Sequence, residues 1–190
     1  MIYLYAIGDP QPGVDGIRHG CLEAFVRRGI EQAPAPDEES LRHHDGVVSA
    51  LMRGGAVLPM RFGTVVPSED DVRDLLVQRE DELRSKLEQV RGRVEMGVRV
   101  PWEGERIVAS SGSEFMRAKF ERRKAARRAA NELHPVLSEL AVDSVLTICP
   151  REDTAFTAAY LVDRAQVGRF TQRAKSVTVT GPWPPYSFSG

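Results

Sequence analysis

Cysteine is nearly missing from this chain. Cys21 and Cys149 are the only two among 190 residues. They lie far apart and in no metal-ligand spacing, so the expectation is a cytosolic protein with two buried free thiols. Long apolar runs are missing too, and none approaches the roughly 18 to 20 residues of a membrane span. The first residues, MIYLYAIGD, carry no basic n-region and meet Asp9 too early for a signal peptide. They read as a first strand. Neither sign of charge dominates, with 26 Lys and Arg against 27 Asp and Glu and a net charge of −1. That balance argues against a wholesale nucleic-acid binder and leaves room for a local basic face. The sequence also lacks GxGxxG, Walker A, GxSxG, HExxH and CxxC. No cofactor, no metal and no catalytic residue is therefore expected, and the protein reads as something other than an enzyme. His43-His44 is the only histidine pair, and helical neighbours point about 100° apart. The pair is expected to split, with His44 at the core boundary and His43 in solvent.

What is present is the composition of a soluble globular protein, 42% hydrophobic and 28% charged. The length suffices for one ordinary domain or two small ones. Residues 2–7 alternate as a strand, and 8–16 carry turn chemistry. The stretch 21–30 (CLEAFVRRGI) alternates and is read as a strand. His19 is placed in a loop. Asp37 caps a helix whose Leu41, His44, Val48, Leu51 and Met52 recur at helical spacing. Gly54-Gly55 ends it. The run 56–66 (AVLPMRFGTVV) is the expected central strand of the first half, with Pro59 at an edge, a start or a bulge. Ser68 caps one helix lined by Val72, Leu75, Leu76, Leu83, Leu87 and Val90, which Gly92 ends. Beyond it come a strand over 94–100, a loop over 101–105 and a long helix from about 114 to 140. His134-Pro135 should kink or divide that helix, and His134 is expected to support local structure. A hairpin of strands 141–149 and 154–162 turns at 150–153. Asp163 then caps a helix to about 175, and a last strand covers 176–180. The chain is thus α+β, with two small α/β-sheet domains: an N-terminal one over 1–91 and a ferredoxin-like one over 92–180. The second has the order β-α-β-β-α-β. A Pro/aromatic tail occupies 181–190.

Two features could meet a partner. On the long helix, Arg117, Lys119, Arg122, Arg123, Lys124, Arg127 and Arg128 outnumber Glu114, Glu121 and Glu132. They form either a solvated face with pairs such as Glu121–Lys124, or a face that docks an acidic partner surface. Arg117, Arg123 and Arg127 are the candidate docking cations. Phe115 and Phe120 are assigned to the helix's apolar stripe, so aromatic interleaving is poor and nucleic acid ranks below protein. The acidic clusters Asp70-Asp71-Asp74 and Glu80-Asp81-Glu82 read as helix-start and surface-pairing charges. In the tail, Trp183, Tyr186 and Phe188 stand among prolines that favour an extended form. They either cover the protein's own core or anchor a partner.

Three segments together resemble the gas vesicle GvpF/GvpL family. These are YLYAI near the N-terminus, the central VLPMRFGTV, and AAYLVDRAQVGRF with VTVTGPWPPYSF at the C-terminal end, in the same order. The likeness spans essentially the whole chain, with a compressed loop between the first two strands. The resemblance implies a non-enzymatic protein of gas vesicle formation, found in the cytoplasm and at the gas vesicle. It also implies two α+β domains, the second ferredoxin-like, and contacts with the small, very apolar shell subunit GvpA and other vesicle proteins. It carries over no catalytic residue and implies no membrane partner. Arg61 and Trp183 match motif positions. The reading outside that family is a ferredoxin-like RNA- or small-molecule-binding module.

Overall fold

A heptapeptide without a charge, Ile2–Gly8, forms β1. It is buried along its whole length in the computed structural model, which describes residues 1–102, 104 and 107–190. Side chains alternate across a strand, so burial of every residue means that both faces of β1 are covered. Around it lie β2 (Gly16–His19), β3 (Leu22–Arg27), α1 (Glu38–Gly54), β4 (Val57–Pro59), β5 (Val65–Val66), α2 (Glu69–Gln78) and α3 (Glu80–Val90). Among the described residues the sheet runs β2-β3-β1-β4, with β5 also on β1. The chain divides into two units, Met1–Arg93 with Trp183–Gly190, and Val94–Pro182.

The first unit corrects several expectations. The segment holding His19 is a short strand, β2, antiparallel to β3. The buried Glu23 organises it, accepting from Arg18 Nε and from the Gln11 amide, each at 2.9 Å. The run 56–66 is not one strand. β4 pairs with Ala6–Gly8 and β5 with Ile2–Tyr3, and a turn interrupts them. Pro59 offers no N–H, and Gly63 takes φ +84°, a left-handed conformation that glycine adopts without strain. Arg61 sits exposed in this turn, its carbonyl accepting from the Thr64 amide at 3.1 Å and from Thr64 Oγ1 at 2.7 Å. The helix expected over 68–91 is two helices, because Arg79 leaves helical geometry at φ −115°, ψ 19°. The caps hold as read: Asp37 accepts from the Ser40 amide, and Ser68 from the Asp71 amide. Cys21 is exposed and Cys149 half-buried, so neither thiol is in the core.

α1 buries His44, Val48 and Leu51, which bring it against Tyr3, Tyr5 and Phe25. The polar contacts there have a forced direction. The Met60 carbonyl can only accept, so His44 Nε2–H donates to it (3.1 Å). On the neutral ring Nδ1 then accepts from the Tyr3 hydroxyl (2.8 Å), whose oxygen also accepts from the Gly63 amide (3.2 Å). This relay needs a neutral imidazole, and burial itself holds the His44 pKa below its ordinary value. His43 is exposed, with Nε2 3.3 Å from Tyr5 Oη. The segment after Trp183 closes on the same unit. Pro184, Pro185 and Phe188 are buried, Tyr186 lies 6.3 Å from the His44 ring, and Ser189 Oγ donates to the Pro59 carbonyl at 2.8 Å.

The second unit contains β6 (Arg93–Pro101), α4 (Gly112–Ser138), β7 (Asp143–Arg151), β8 (Thr154–Asp163), α5 (Val167–Arg173) and β9 (Thr178–Trp183). The element order is βαββαβ, and the sheet order is β7-β8-β6-β9. The expected loop over 101–105 includes Glu103 and Glu105, which lie outside the described residues. Pro135 does not divide α4, which runs through it to Ser138. His134 Nδ1 meets Tyr160 Oη at 2.9 Å, tying the helix to a buried ring whose pKa burial raises to about 12. β7 extends past the expected turn to Arg151 by a bulge, with Cys149 at φ +51°. The chain enters α5 through a 3₁₀ turn at Arg164–Gln166. Gly97 on β6 is required by close approach, since a Cβ there would meet Thr180 Oγ1 at 2.5 Å.

Two measurements test these contacts. Phe188 is 7% exposed, so Phe188→Ala should destabilise the protein by about 3 kcal/mol in urea unfolding; no loss would mean that the terminal segment does not cover the core. For His44, the native pKa lies below the unfolded value near 6.5. Its contribution is therefore present above pH 6.5 and lost as pH falls through the native pKa. His44→Ala should cost about 2–4 kcal/mol at pH 8 and flatten the stability slope below about pH 6.5, read by chemical unfolding at each pH.

Candidate partner-binding site

α4 starts with well-matched chemistry. Ser111 caps it by accepting from the Glu114 amide at 3.2 Å. Glu114 reaches back to accept from Ser110 N and Oγ at 2.9 and 2.6 Å, and those bonds hold its carboxyl below the usual range. The alanines that follow favour helix. Ala126 and Ala130 let the backbone approach β8, where they meet Ala155 and Phe156. The buried residues of α4 are Ala126, Ala130 and Leu137. Over residues 112–125, about 20 Å of helix, Ala118, Arg122 and Ala125 are half-buried and the other side chains are exposed.

That stretch exposes apolar rings and chains. Phe120 is 66% exposed, Met116 63% and Phe115 43%. The expectation that Phe115 and Phe120 belong to the buried stripe is corrected: Phe115 continues the period of Ala126 and Ala130 but stays exposed, and Phe120 stands about 100° off it. Phe115, Lys119, Arg122 and Arg123 face Ile107, Val108, Ile148, Cys149 and Arg151 across a cavity of about 760 Å³. Arg122 stacks over Trp102, its guanidinium carbon 4.8 Å from the ring centroid, a cation–π contact. Among the described residues, none of the seven cations of α4 forms an ion pair, and the expected Glu121–Lys124 pair is not made. The first unit differs. Arg28 bonds Glu69 at 2.6 Å, Arg79 bonds Glu82 at 2.8 Å, and Arg91 bonds Asp9 at 2.6 Å. Arg91 holds the Asp9 carboxyl below its usual range, and Arg79 with Lys86 brings Glu82 to about 2.

The structure separates the residues singled out from sequence. Arg123 and Arg127 share a flank of α4 with Met116 and Phe120, because successive residues turn by about 100°. Arg117 points away from that flank. Trp183 is exposed, Tyr186 half-buried and Phe188 buried. Sequence reasoning did not single out Ile107, Val108, Met116 or Arg151. A Met116–Phe120 pair off the main stripe was the available signal. A second, smaller cavity of about 220 Å³ lies in the first unit, lined by Tyr3, Tyr5, Arg27, His43 and Phe62. Among the described residues no cluster of three His, Cys, Asp or Glu could hold a metal ion, and no helix is long and apolar enough to cross a membrane.

The family model described as gas vesicle synthesis protein GvpL/GvpF matches residues 1–122 and 113–190. This chain belongs to the GvpL/GvpF family. It is similar to gas vesicle protein L of Streptomyces sp. (strain CB03234), at 32% identity over 99% of this chain and 92% of that protein. Gas vesicle protein F of the same strain is 29% identical over 96% and 90%. The fold is that of gas vesicle protein GvpF from Microcystis aeruginosa, with a TM-score of 0.80, 16% identity, and 100% and 98% of the two chains covered. GvpF from Anabaena sp. PCC7120 matches with the same TM-score at 20% identity, covering 100% and 95%. Membership gives the chain a gas vesicle role, in a family of vesicle structural and assembly proteins rather than of known enzymes.

The stability consequence of the unpaired face is direct. Arg123→Glu and Arg127→Glu should each change unfolding free energy by less than about 0.5 kcal/mol, because no native pair is broken. Urea denaturation of the two variants checks this, and a larger loss would show that these cations hold the fold.

Proposed function

We propose that this protein binds the apolar shell subunit GvpA and other vesicle proteins in the cytoplasm, and holds the subunit's apolar surface until it joins the growing shell. The observation that carries this reading is the first half of α4, where unpaired cations stand beside exposed Phe115, Met116 and Phe120. Single exposed apolar residues need no explanation, whereas a cluster beside a cavity fits protein docking. The role is non-catalytic. The face opposite α4 on the second sheet bears Val145, Thr147, Thr157 and Ala159 by its register. It offers no ring there on which a base could stack, so the nucleic-acid reading lacks support.

Co-expression with the shell subunit tests the proposal. The intact protein should keep the subunit in the soluble fraction and capture it on beads. The double variant Arg123→Glu/Arg127→Glu should capture about tenfold less, the scale of losing a few interfacial charge contacts. A shell subunit that aggregates equally with and without the intact protein would sink the reading.

A further inference from the structure

The cavity beside α4 has an apolar floor and a cationic rim. Phe115, Ile107 and Ile148 line it with the exposed Val108, and Lys119, Arg123 and Arg151 outnumber the one acid, Glu152, around it. Met116 and Phe120 carry the apolar surface outward along the helix. We infer that this groove seats an acidic amphipathic α-helix of a partner protein, laid along the first half of α4. The inference rests on the reading that α4 docks protein, and it names the chemistry of what docks there.

Charge complementarity is the main argument. Elsewhere several arginines have carboxylate partners at close range, as for Arg28, Arg79, Arg91 and Arg99. α4 carries seven cations against three glutamates, and among the described residues none of those cations is ion-paired, so the surplus suits a partner that brings carboxylates. The geometry selects a helix. The largely exposed stretch, residues 112–125, is about 20 Å long, the span of some 13 residues of helix. A helix with an apolar seam at i, i+3, i+4 and i+7 would place that seam on the floor and glutamates or aspartates on both flanks, against the rim.

Other occupants fit less well. An extended strand would have to pair with the outer edge of β7, but the bulge after Ile148, the left-handed Cys149 and the missing N–H of Pro150 break that ladder where the groove lies. A second folded copy offers the acidic helices α2 and α3, yet their apolar faces, Val72 and Leu76, Leu83 and Leu87, are already buried. An RNA strand would satisfy the cations and leave the floor unused.

Fluorescence anisotropy on the full-length protein tests this with four labelled probes. The first is a synthetic peptide of about 16 residues with leucines at i, i+3, i+4 and i+7 and glutamates elsewhere. The second has the same composition in strict alternation, the third has lysine for glutamate, and the fourth is oligouridylate. The glutamate helix should bind saturably, at least about tenfold tighter than each of the others. Phe120→Glu and Arg123→Glu should each weaken it at least about tenfold, and Arg117→Glu, which points away, less than about twofold. Both key positions are exposed, and circular dichroism verifies that the variants fold. Equal binding of the alternating peptide, tighter binding of oligouridylate, or unchanged binding by Phe120→Glu and Arg123→Glu would overturn the inference. Capture of the shell subunit by Phe120→Glu at the intact protein's level would overturn the groove alone and leave the assembly role standing. Failure of the intact protein to capture any vesicle protein, with the glutamate helix still bound, would overturn the role and leave the groove.

Discussion

The hydroxyl of Tyr3 stands between the Gly63 amide and the His44 ring, and the first unit is built around that meeting. Because the Met60 carbonyl can only accept, the neutral imidazole carries its proton on Nε2 and leaves Nδ1 to accept from the Tyr3 hydroxyl. Break one member and two buried polar groups lose their partners together. The relay joins β1, α1 and the turn that interrupts β4 and β5, and Tyr186 from the terminal segment packs beside the same ring. Residues distant in sequence thereby hold one another.

This explains what the family motifs do here. YLYAI supplies Tyr3 and Tyr5, the central motif supplies Met60, Phe62 and Gly63, and the C-terminal motif supplies Tyr186 and Phe188. All contact or cover the His44 region or the core beside it. YLYAI, the central motif and the end of the C-terminal one fold the first unit, whereas AAYLVDRAQVGRF belongs to the second. Phe188 is core, while Arg61, in the exposed turn, is not.

Much of this architecture was legible because it is local. Caps, glycine stops and apolar periods located β1, β3, α1, α2 and the whole βαββαβ series. What escaped depended on partners far along the chain. β2 is four residues held by the buried Glu23, and nothing in GIRH announces it. The run 56–66 looked continuous because a hydrophobic pattern does not record whether a ladder partner is present at each residue. The break at Arg79 and the continuity through Pro135 are tertiary outcomes of the same kind, in which packing overrides local preference. For α4, periodicity identified the helix but put Phe115 and Phe120 on its inward face, where the structure has Ala126, Ala130 and Leu137. It could not say where the sheet beneath stops, and that end decides whether Phe115 is core or surface.

The two units treat their charges differently, and that difference locates the binding face. In the first unit Arg28, Arg73, Arg79 and Arg91 are tied to nearby carboxylates, some on the same helix and some across elements. Exposed pairs of this sort add little stability, yet they leave few cations available to a partner. The second unit concentrates seven cations on one helix, pairs none of them among its described residues, and places apolar side chains between them. Self-repulsion along such a helix is a standing cost to the fold, and a partner carboxylate relieves it while also being attracted. The same charge that weakens the isolated helix therefore strengthens the complex, so affinity at this face should fall with ionic strength more steeply than apolar burial alone would allow.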